Sequence, residues 1–196
     1  MDHQGAIEHI LDRLEKELPD DLHYHGKHHT IDVLDTVKRI GQHEGVSDEE
    51  MKILLVAAAY HDCGFIYGHS NHEVAGCNIA KECLPEFGFD EKSIVLICRM
   101  IMATKVPQTP TCALCNMLCD ADLDYLGRDD FEPIAKSLYQ ELNHLGILKD
   151  EKTWNRIQVG FLKEHFYHTS YGKELRQPVK EQHLKALEAI VATYDS

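Results

Sequence analysis

The sequence predicts an all-α fold, a helical bundle of about eight to ten helices with no significant sheet. Apolar residues recur at three- and four-residue spacing along almost the whole chain, which is typical of helices that bury one face. No segment alternates apolar and polar residues for long enough to indicate a strand. The 196 residues fit a single domain over 1–196, because no repeat or linker divides them.

The first three helices are predicted from apolar spacing and from residues that begin or end helices. Five apolar residues mark the first helix, before Pro19: Ile7, Ile10, Leu11, Leu14 and Leu18. A second helix is marked over 31–40, and Gly41 is expected to end it. Ser47, followed three residues later by Glu50, is a capping box that opens a very apolar helix over 51–61. We expect this third helix to be central and buried.

The remaining helices follow from the same spacing. They are predicted near 71–84, 91–103, 112–125, 130–145, 152–167 and 179–194. Glycine and proline separate them, at Pro85/Gly88, Pro107/Pro110, Gly127, Gly146 and Gly172/Pro178.

Charge and cysteine content limit the classes of function. The formal charge is −13, which argues against extended nucleic-acid binding because most of the surface repels phosphate. No stretch approaches the roughly 20 apolar residues of a membrane span, and the first residues lack a secretory pattern, so we expect a cytoplasmic protein with no membrane partner. The seven cysteines are odd in number and several lie in helical patterns, which favours reduced, buried thiols.

A histidine and an aspartate end the apolar segment LLVAAAYHDCG. This helix carries His61 and Asp62 into the expected interior, where an unpaired carboxylate costs several kcal/mol. A divalent cation is a partner for both side chains. An isolated buried His-Asp pair is more often a hydrogen-bonded pair, but His29 upstream and Asp120 or Asp122 downstream make the combination more specific for a metal site.

These motifs resemble the HD superfamily of metal-dependent phosphohydrolases, whose pattern is a histidine, an adjacent His-Asp pair and a distant aspartate on a later helix. The resemblance implies that His29, His61, Asp62 and Asp122 hold one divalent ion: Mn, Ni, Fe, Co, Zn or Mg. Asp120 is the alternative for the last position, on the argument that two aspartates two apart cannot both point inward from one helix. We prefer Asp122 because Ala-Asp-Leu is the local pattern in several branches. The implied HD domain has its metal-site core at about 24–125, and C-terminal helices at 130–196 complete the pocket.

Further residues are candidates for catalysis or substrate binding. The segment YHGKHHT resembles an element of cyclic-nucleotide phosphodiesterases in which the earlier histidine, here His25, gives a proton to the leaving oxygen. A surface or supporting role for His25 has equal weight. Lys105 is a candidate to neutralise a phosphate oxygen, although a solvated lysine is the simpler interpretation. His28, His72 and His165 complete the predicted substrate-binding set.

A second metal is not expected. In dinuclear branches a histidine near His69 or His72 helps to bind a second ion, but this chain has Met-Ala-Thr-Lys over 102–105 where those branches supply another histidine. The spacing Cys112-x-x-Cys115-x-x-x-Cys119 invites a zinc interpretation, yet a structural zinc site needs four ligands and no second such pair is present. We therefore predict that these are core cysteines.

The predicted function is hydrolysis of a nucleotide or another small phosphomonoester or phosphodiester by a metal-activated water, and Asp62 is also a catalytic candidate that orients this water. The acidic pairs and the Gly-Tyr-Pro element of better-known branches are absent after the His-Asp pair, so their substrates are not transferred. The alternative is a nucleotide- or metal-binding sensor with little or no turnover. An oxygen-activating di-iron enzyme is a third hypothesis, and it would need ligands from His69, His72 or Glu73.

Overall fold

The computed structural model describes residues 1–195 and shows nine α-helices in that range. They are α1 His3–Glu17, α2 Lys27–Glu44, α3 Asp48–Tyr60, α4 His72–Cys83, α5 Glu91–Ala103, α6 Ala113–Asp122, α7 Phe131–His144, α8 Glu151–Glu164 and α9 Gln177–Ala192. Residues 1–195 contain no strand, so the predicted all-α fold is confirmed. Within this described range, no helix has the length and apolar character needed to cross a membrane.

The helices belong to two compact units. The first unit is formed by Met1–Asp20 with His25–Asp122 and contains α1 to α6. The second unit is formed by Asp21–Tyr24 with the chain from Leu123 onward, and it contains α7 to α9. A short π-helix, Gly172–Arg176, precedes α9 in the second unit.

Helix α3 is the central element of the first unit. It packs against α1, α2 and α5, and its residues from Val56 to Tyr60 are fully buried. The predicted capping box is present, because the Ser47 side chain accepts from the Glu50 N–H and the Glu50 carboxylate accepts from the Ser47 N–H. A buried, capped α3 therefore places its last residues inside the unit, as its sequence predicts.

The prediction that Gly41 ends the second helix is wrong. Helix α2 continues to Glu44 and ends at Gly45, whose φ of 72° is the left-handed conformation that glycine adopts readily. A Cβ on Gly41 would lie 2.5 Å from the Met51 Cε atom. Gly41 thus packs against the Met51 and Val46 side chains inside α2 and does not end the helix.

The second unit has its own hydrophobic core, to which α7 and α8 contribute. Its buried members are Tyr24, Leu123, Tyr125, Leu126, Phe131, Ala135, Leu148, Trp154 and Leu162. Gly127 lies against the backbone of Arg176, since a Cβ there would be 2.4 Å from the Arg176 carbonyl oxygen. This close approach brings the π-helix to the turn that carries Asp124.

The cysteine prediction is correct for five residues and wrong for two. Cys112 and Cys115 form a disulfide at the start of α6. The others are free, buried thiols: Cys63, Cys77, Cys83, Cys98 and Cys119. Cys112 is only half-buried, so helical spacing alone did not show that this residue lies outside the core.

Candidate metal centre

Three helices of the first unit bring four side chains into one cluster. His29 lies in the first turn of α2, His61 and Asp62 follow the last turn of α3, and Asp122 is the last residue of α6. Helix α2 packs against both α3 and α6, so these helix ends meet. One ligand atom from each of the four residues lies within 4.8 Å of the others.

The cluster is held by histidine–carboxylate contacts at short distance. His29 Nε2 lies 3.1 Å from Asp122 Oδ1, and His61 Nε2 lies 3.1 Å from Asp62 Oδ2. The two Nε2 atoms are 3.3 Å apart. Two imidazole nitrogens and two carboxylates therefore face the same small volume, which we call the metal cluster.

The His61 ring is oriented by a backbone contact. Its Nδ1 atom lies 2.7 Å from the Ala58 carbonyl oxygen, which can only accept, so Nδ1 carries the proton. In the neutral ring Nε2 then has its lone pair directed into the metal cluster. A backbone carbonyl that fixes the other ring nitrogen is the usual support of a metal-binding histidine.

Burial and charge in the cluster oppose one another. Burial disfavours ionisation of Asp62, but the neighbouring His61 charge outweighs it and holds the pKa of Asp62 below its ordinary value. For Asp122, burial is likewise outweighed, here by hydrogen bonds from His29 and His61, and the pKa falls to about 2. Burial also works against a charged His61, yet the Asp62 charge and the Asp122 hydrogen bond raise the pKa of His61 well above its ordinary value.

The donor set fits a divalent metal ion. Asp62 Oδ2 is buried and accepts no hydrogen bond from residues 1–195, although a carboxylate oxygen in that position normally has a partner. Two imidazoles and two carboxylates are ligands that suit Mn, Fe, Co, Ni or Zn. A divalent cation would bind Asp62 Oδ2 and the Nε2 lone pairs of His29 and His61 at the same time. Protonation of the two histidines satisfies these groups less completely.

Gly64 lets the next segment reach the metal cluster. A Cβ on Gly64 would be 1.9 Å from the backbone oxygen of His72, so no side chain fits. The contact brings His72 Nε2 to 3.6 Å from Asp62 Oδ1 and 3.4 Å from Glu73 Oε1, while Nδ1 donates to the His69 carbonyl. His72 thus lies beside the cluster, next to a buried carboxylate.

His25 lies near the cluster on an aromatic support. Its ring stacks on Phe65 at 4.2 Å between centroids, and His72 stacks on Phe65 at 4.1 Å. The His25 ring is 6.2 Å from the rings of His29 and His69. The ring is half-buried, so it borders the cluster without belonging to the four residues that form it.

Gln108 is a neighbour that sequence analysis missed. Its Nε2 atom donates to the Cys119 carbonyl at 3.1 Å and lies 3.5 Å from Asp122 Oδ2. Lys105, which was predicted to neutralise a phosphate oxygen, is exposed in the turn after α5. A loop glutamine carries no periodicity and no charge, so only the proline-rich character of the segment hinted that it turns toward the site.

The structure places the other candidates in different surroundings. Asp120 and Asp122 are both largely buried, so the premise that only one of them points inward is wrong; the Asp122 carboxylate is the one in the cluster. His28 is exposed although His29 is buried. His165 belongs to the second unit, where Lys180 donates to its backbone carbonyl. The predicted substrate-binding roles of His28, His72, Lys105 and His165 stay predictions.

Comparisons with known proteins give a family and a fold. A family model, the HD domain, matches residues 26–123, half of the chain. One similar structure is a predicted HD superfamily hydrolase from an uncultured Thermotogales bacterium, at 19% identity and a TM-score of 0.62, covering 95% of this chain and 92% of that one. Another is a protein from Lactobacillus plantarum, at 17% identity and a TM-score of 0.67, covering 98% of this chain and 100% of that one. No curated protein matches. At these identities the likeness shows the fold alone.

Proposed function

The chain belongs to the HD domain family, and from that premise we propose that it is a metal-dependent phosphohydrolase acting on a nucleotide or another small phosphomonoester or phosphodiester. One observation carries the proposal: two histidine nitrogens and two carboxylates meet in a buried cluster that includes an oxygen without a hydrogen bond from residues 1–195. Buried charges in proteins are paired or bind metals. A bound cation satisfies the nitrogen and oxygen atoms of the cluster more completely than their contacts with one another do.

His29, His61, Asp62 and Asp122 would hold the ion. When bound, a divalent cation supplies Lewis acidity that activates water and polarises a phosphoryl group. The chain's own part is orientation, because the Ala58 carbonyl fixes the His61 ring and the Gln108 amide lies against Asp122. These contacts keep the ligand atoms in position, as a site with preorganised geometry requires.

His25 is the proposed proton donor to the leaving oxygen. The Phe65 ring supports its flat face, and His25 borders the cluster on the side of His29. An imidazolium beside a phosphate both neutralises charge and supplies a proton near neutral pH. His72, beside Asp62, is proposed to contact substrate in the same region.

The charge of the chain is consistent with a small phosphorylated substrate rather than a polymer. A formal charge of −13 repels an extended phosphate backbone. A single phosphate group needs only local positive charge, which a bound cation, His25 and the exposed Lys105 can supply. The proposed substrate is therefore a free nucleotide or a comparable small phosphate ester.

The test is a hydrolysis assay on the full-length chain, purified without chelator or affinity tag. Nucleotides, phosphomonoesters and phosphodiesters are offered with Mn²⁺, Ni²⁺, Co²⁺ or Mg²⁺, and product release is measured. We expect release that requires the added metal and disappears in Asp62→Asn, while Asp35→Asn, at an exposed position of α2, keeps it. Binding of nucleotide and metal with no product across the panel would contradict the phosphohydrolase and favour the sensor.

A further inference from the structure

The disulfide between Cys112 and Cys115 is accessible from one side. Cys112 is half-buried and precedes α6, whereas Cys115 is fully buried in the first turn of that helix. The Cα atoms are 5.0 Å apart, within the range that disulfides use. Cys112 is therefore the more exposed member of the pair and the one at which a thiol in solution would attack.

This disulfide has the character of a redox pair more than of a structural cross-link. It closes a segment of only four residues, and short loops constrain the unfolded chain least. The five other cysteines are free thiols, so the chain is not built on a disulfide framework. A lone CxxC disulfide among free thiols is typical of redox chemistry.

The start of α6 stabilises the reduced form. The Cys115 backbone N–H points at Cys112 Sγ over 3.1 Å, and Asn116 N–H donates to the Cys112 carbonyl. A helix N-terminus carries partial positive charge and lowers the cost of a thiolate. Cys112 Sγ lies in this field, whereas Cys115 is fully buried and takes up a proton when it leaves.

The loop between α5 and α6, residues 104–112, connects the disulfide to the metal cluster. Arg99 donates to the side chain and carbonyl of Thr111, which fixes the end of the loop next to Cys112. Within the same loop, Gln108 contacts the Cys119 carbonyl and Asp122. Opening the disulfide removes the covalent restraint on this end of the loop and leaves the hydrogen bonds at Thr111 and at the Cys112 carbonyl.

We propose that Cys112 and Cys115 form a reversible thiol–disulfide site that reacts with dithiols and sets the position of Gln108 against Asp122. In the oxidised state the end of the loop is tied covalently to α6, and Gln108 supports the Asp122 carboxylate. In the reduced state that support is weakened. The second half of this proposal rests on the proposed metal site, and the first half does not.

The exchange balances with a dithiol as reductant. Its thiolate attacks Cys112 Sγ, the S–S bond breaks, and Cys115 leaves as a thiolate that takes up a proton. The second thiol of the reductant then attacks the sulfur joined to Cys112, releasing the Cys112 thiolate, which is protonated in turn, and forming the reductant's own disulfide. Two electrons and two protons pass to the protein, and an oxidised dithiol reverses both steps.

The first experiment counts thiols in the full-length chain after equilibration in buffers of reduced and oxidised dithiothreitol or glutathione. The samples are acid-quenched and labelled with maleimide under denaturing conditions, and the mass of the labelled chain is measured by mass spectrometry. We expect five labels when oxidised and seven when reduced, with the same midpoint from both directions. The tryptic peptide 106–128 locates the pair, and Cys112→Ser/Cys115→Ser gives five labels throughout. Seven labels in every buffer, or five that no native reduction raises, would overturn the site.

The second experiment compares Mn²⁺ affinity in the two redox states by calorimetry. We expect reduction to weaken binding at least threefold in the wild type and in the control Cys98→Ser. Cys112→Ser/Cys115→Ser and Gln108→Leu should be insensitive to redox state and bind like the reduced chain. Equal affinity in both states would overturn the coupling alone. No Mn²⁺ binding in either state would overturn the coupling and the proposed function, while the thiol count still decides the redox site.

Discussion

Asp122 and Asp124 are two residues apart, yet the two compact units treat them differently. Asp122, in the first unit, faces two histidines across short distances. Asp124, in the second unit, is almost fully buried and accepts from Arg176 Nε at 2.7 Å, with Arg128 Nη1 at 3.5 Å. One carboxylate has permanent cations as partners, and the other has groups that are charged only when protonated.

The difference separates a structural aspartate from a functional one. A guanidinium neutralises Asp124 at every physiological pH, although Asp124 Oδ2, like Asp62 Oδ2, accepts no hydrogen bond from the described residues. The charge of the cluster around Asp62 and Asp122 is balanced only when protons or a metal ion supply positive charge. Burial alone therefore does not mark a metal ligand, whereas burial with titratable partners does.

The largest expected effect is on metal binding. Asp122→Asn should weaken Mn²⁺ binding by about 100-fold or more, because it removes an anionic ligand. Asp124→Asn is the matched control in the second unit and should leave the affinity within about twofold, since Asp124 is neutralised elsewhere. Calorimetric titration measures both. Equal losses of Mn²⁺ affinity in the two variants would show that Asp122 is no more a metal ligand than Asp124.

Stability should show the opposite order. Asp124→Asn leaves Arg176 without its carboxylate partner, and breaking a buried ion pair costs about 3–5 kcal/mol. Asp122→Asn in the metal-free chain should cost less, because its histidine partners can lose a proton when the carboxylate is removed, whereas the Arg176 guanidinium cannot. Urea unfolding in chelator gives both free energies. An Asp124→Asn variant as stable as the wild type would show that its ion pair contributes nothing net.

His25→Gln should separate metal binding from chemistry within the first unit. A lost general acid lowers the rate by about 100-fold or more. The metal content should not change, since His25 is outside the four-residue cluster. The measurement is kcat alongside elemental analysis of the same samples. Full activity in His25→Gln would remove this residue from the mechanism.

The pH dependence of Mn²⁺ binding tests whether His61 is protonated in the metal-free chain. Although burial opposes charge on His61, the Asp62 and Asp122 carboxylates raise its pKa, so the metal-free ring carries a proton that the ion must displace. Affinity should therefore fall as pH falls, by about tenfold per unit for one released proton. Titrations between pH 6 and pH 8, in buffers of different ionisation enthalpy, count that proton. Affinity independent of pH would contradict the displacement.

The smallest effect concerns the second cation near Asp124. Arg128 lies farther from Asp124 than Arg176 does and also binds the exposed Asp130. Arg128→Gln should therefore cost about 1 kcal/mol, the size of an ordinary net hydrogen bond or ion pair. Arg176→Gln should cost more. If the two variants unfold at the same urea concentration, Arg176 is not the principal partner.

Much of the fold was predictable because apolar spacing reports which face of a helix is buried. The His61-Asp62 pair was visible for the same reason, as polar residues that end a buried helix. Gly41 was misread because a glycine at a close helix contact looks like a glycine at a helix end. Only a neighbouring element, here Met51, distinguishes the two.

The remaining features depend on contacts that a sequence does not state. Gln108 reaches Asp122 through an irregular loop, and the exposure of Cys112 depends on where α6 begins. The burial of both Asp120 and Asp122 also went unforeseen, because α6 is covered on more than one face. Periodicity identifies a helix, but its neighbours determine how many of its faces are buried.

Anomalous diffraction from crystals of the full-length chain grown with Mn²⁺ would show directly where the ion binds. We expect one strong peak per chain, about 2.0–2.3 Å from the Nε2 atoms of His29 and His61 and from oxygens of Asp62 and Asp122. No peak is expected beside Asp124. A chain with no peak in the cluster at saturating Mn²⁺, or with the ion bound elsewhere, would make the four residues a structural polar cluster and contradict the proposed metal centre.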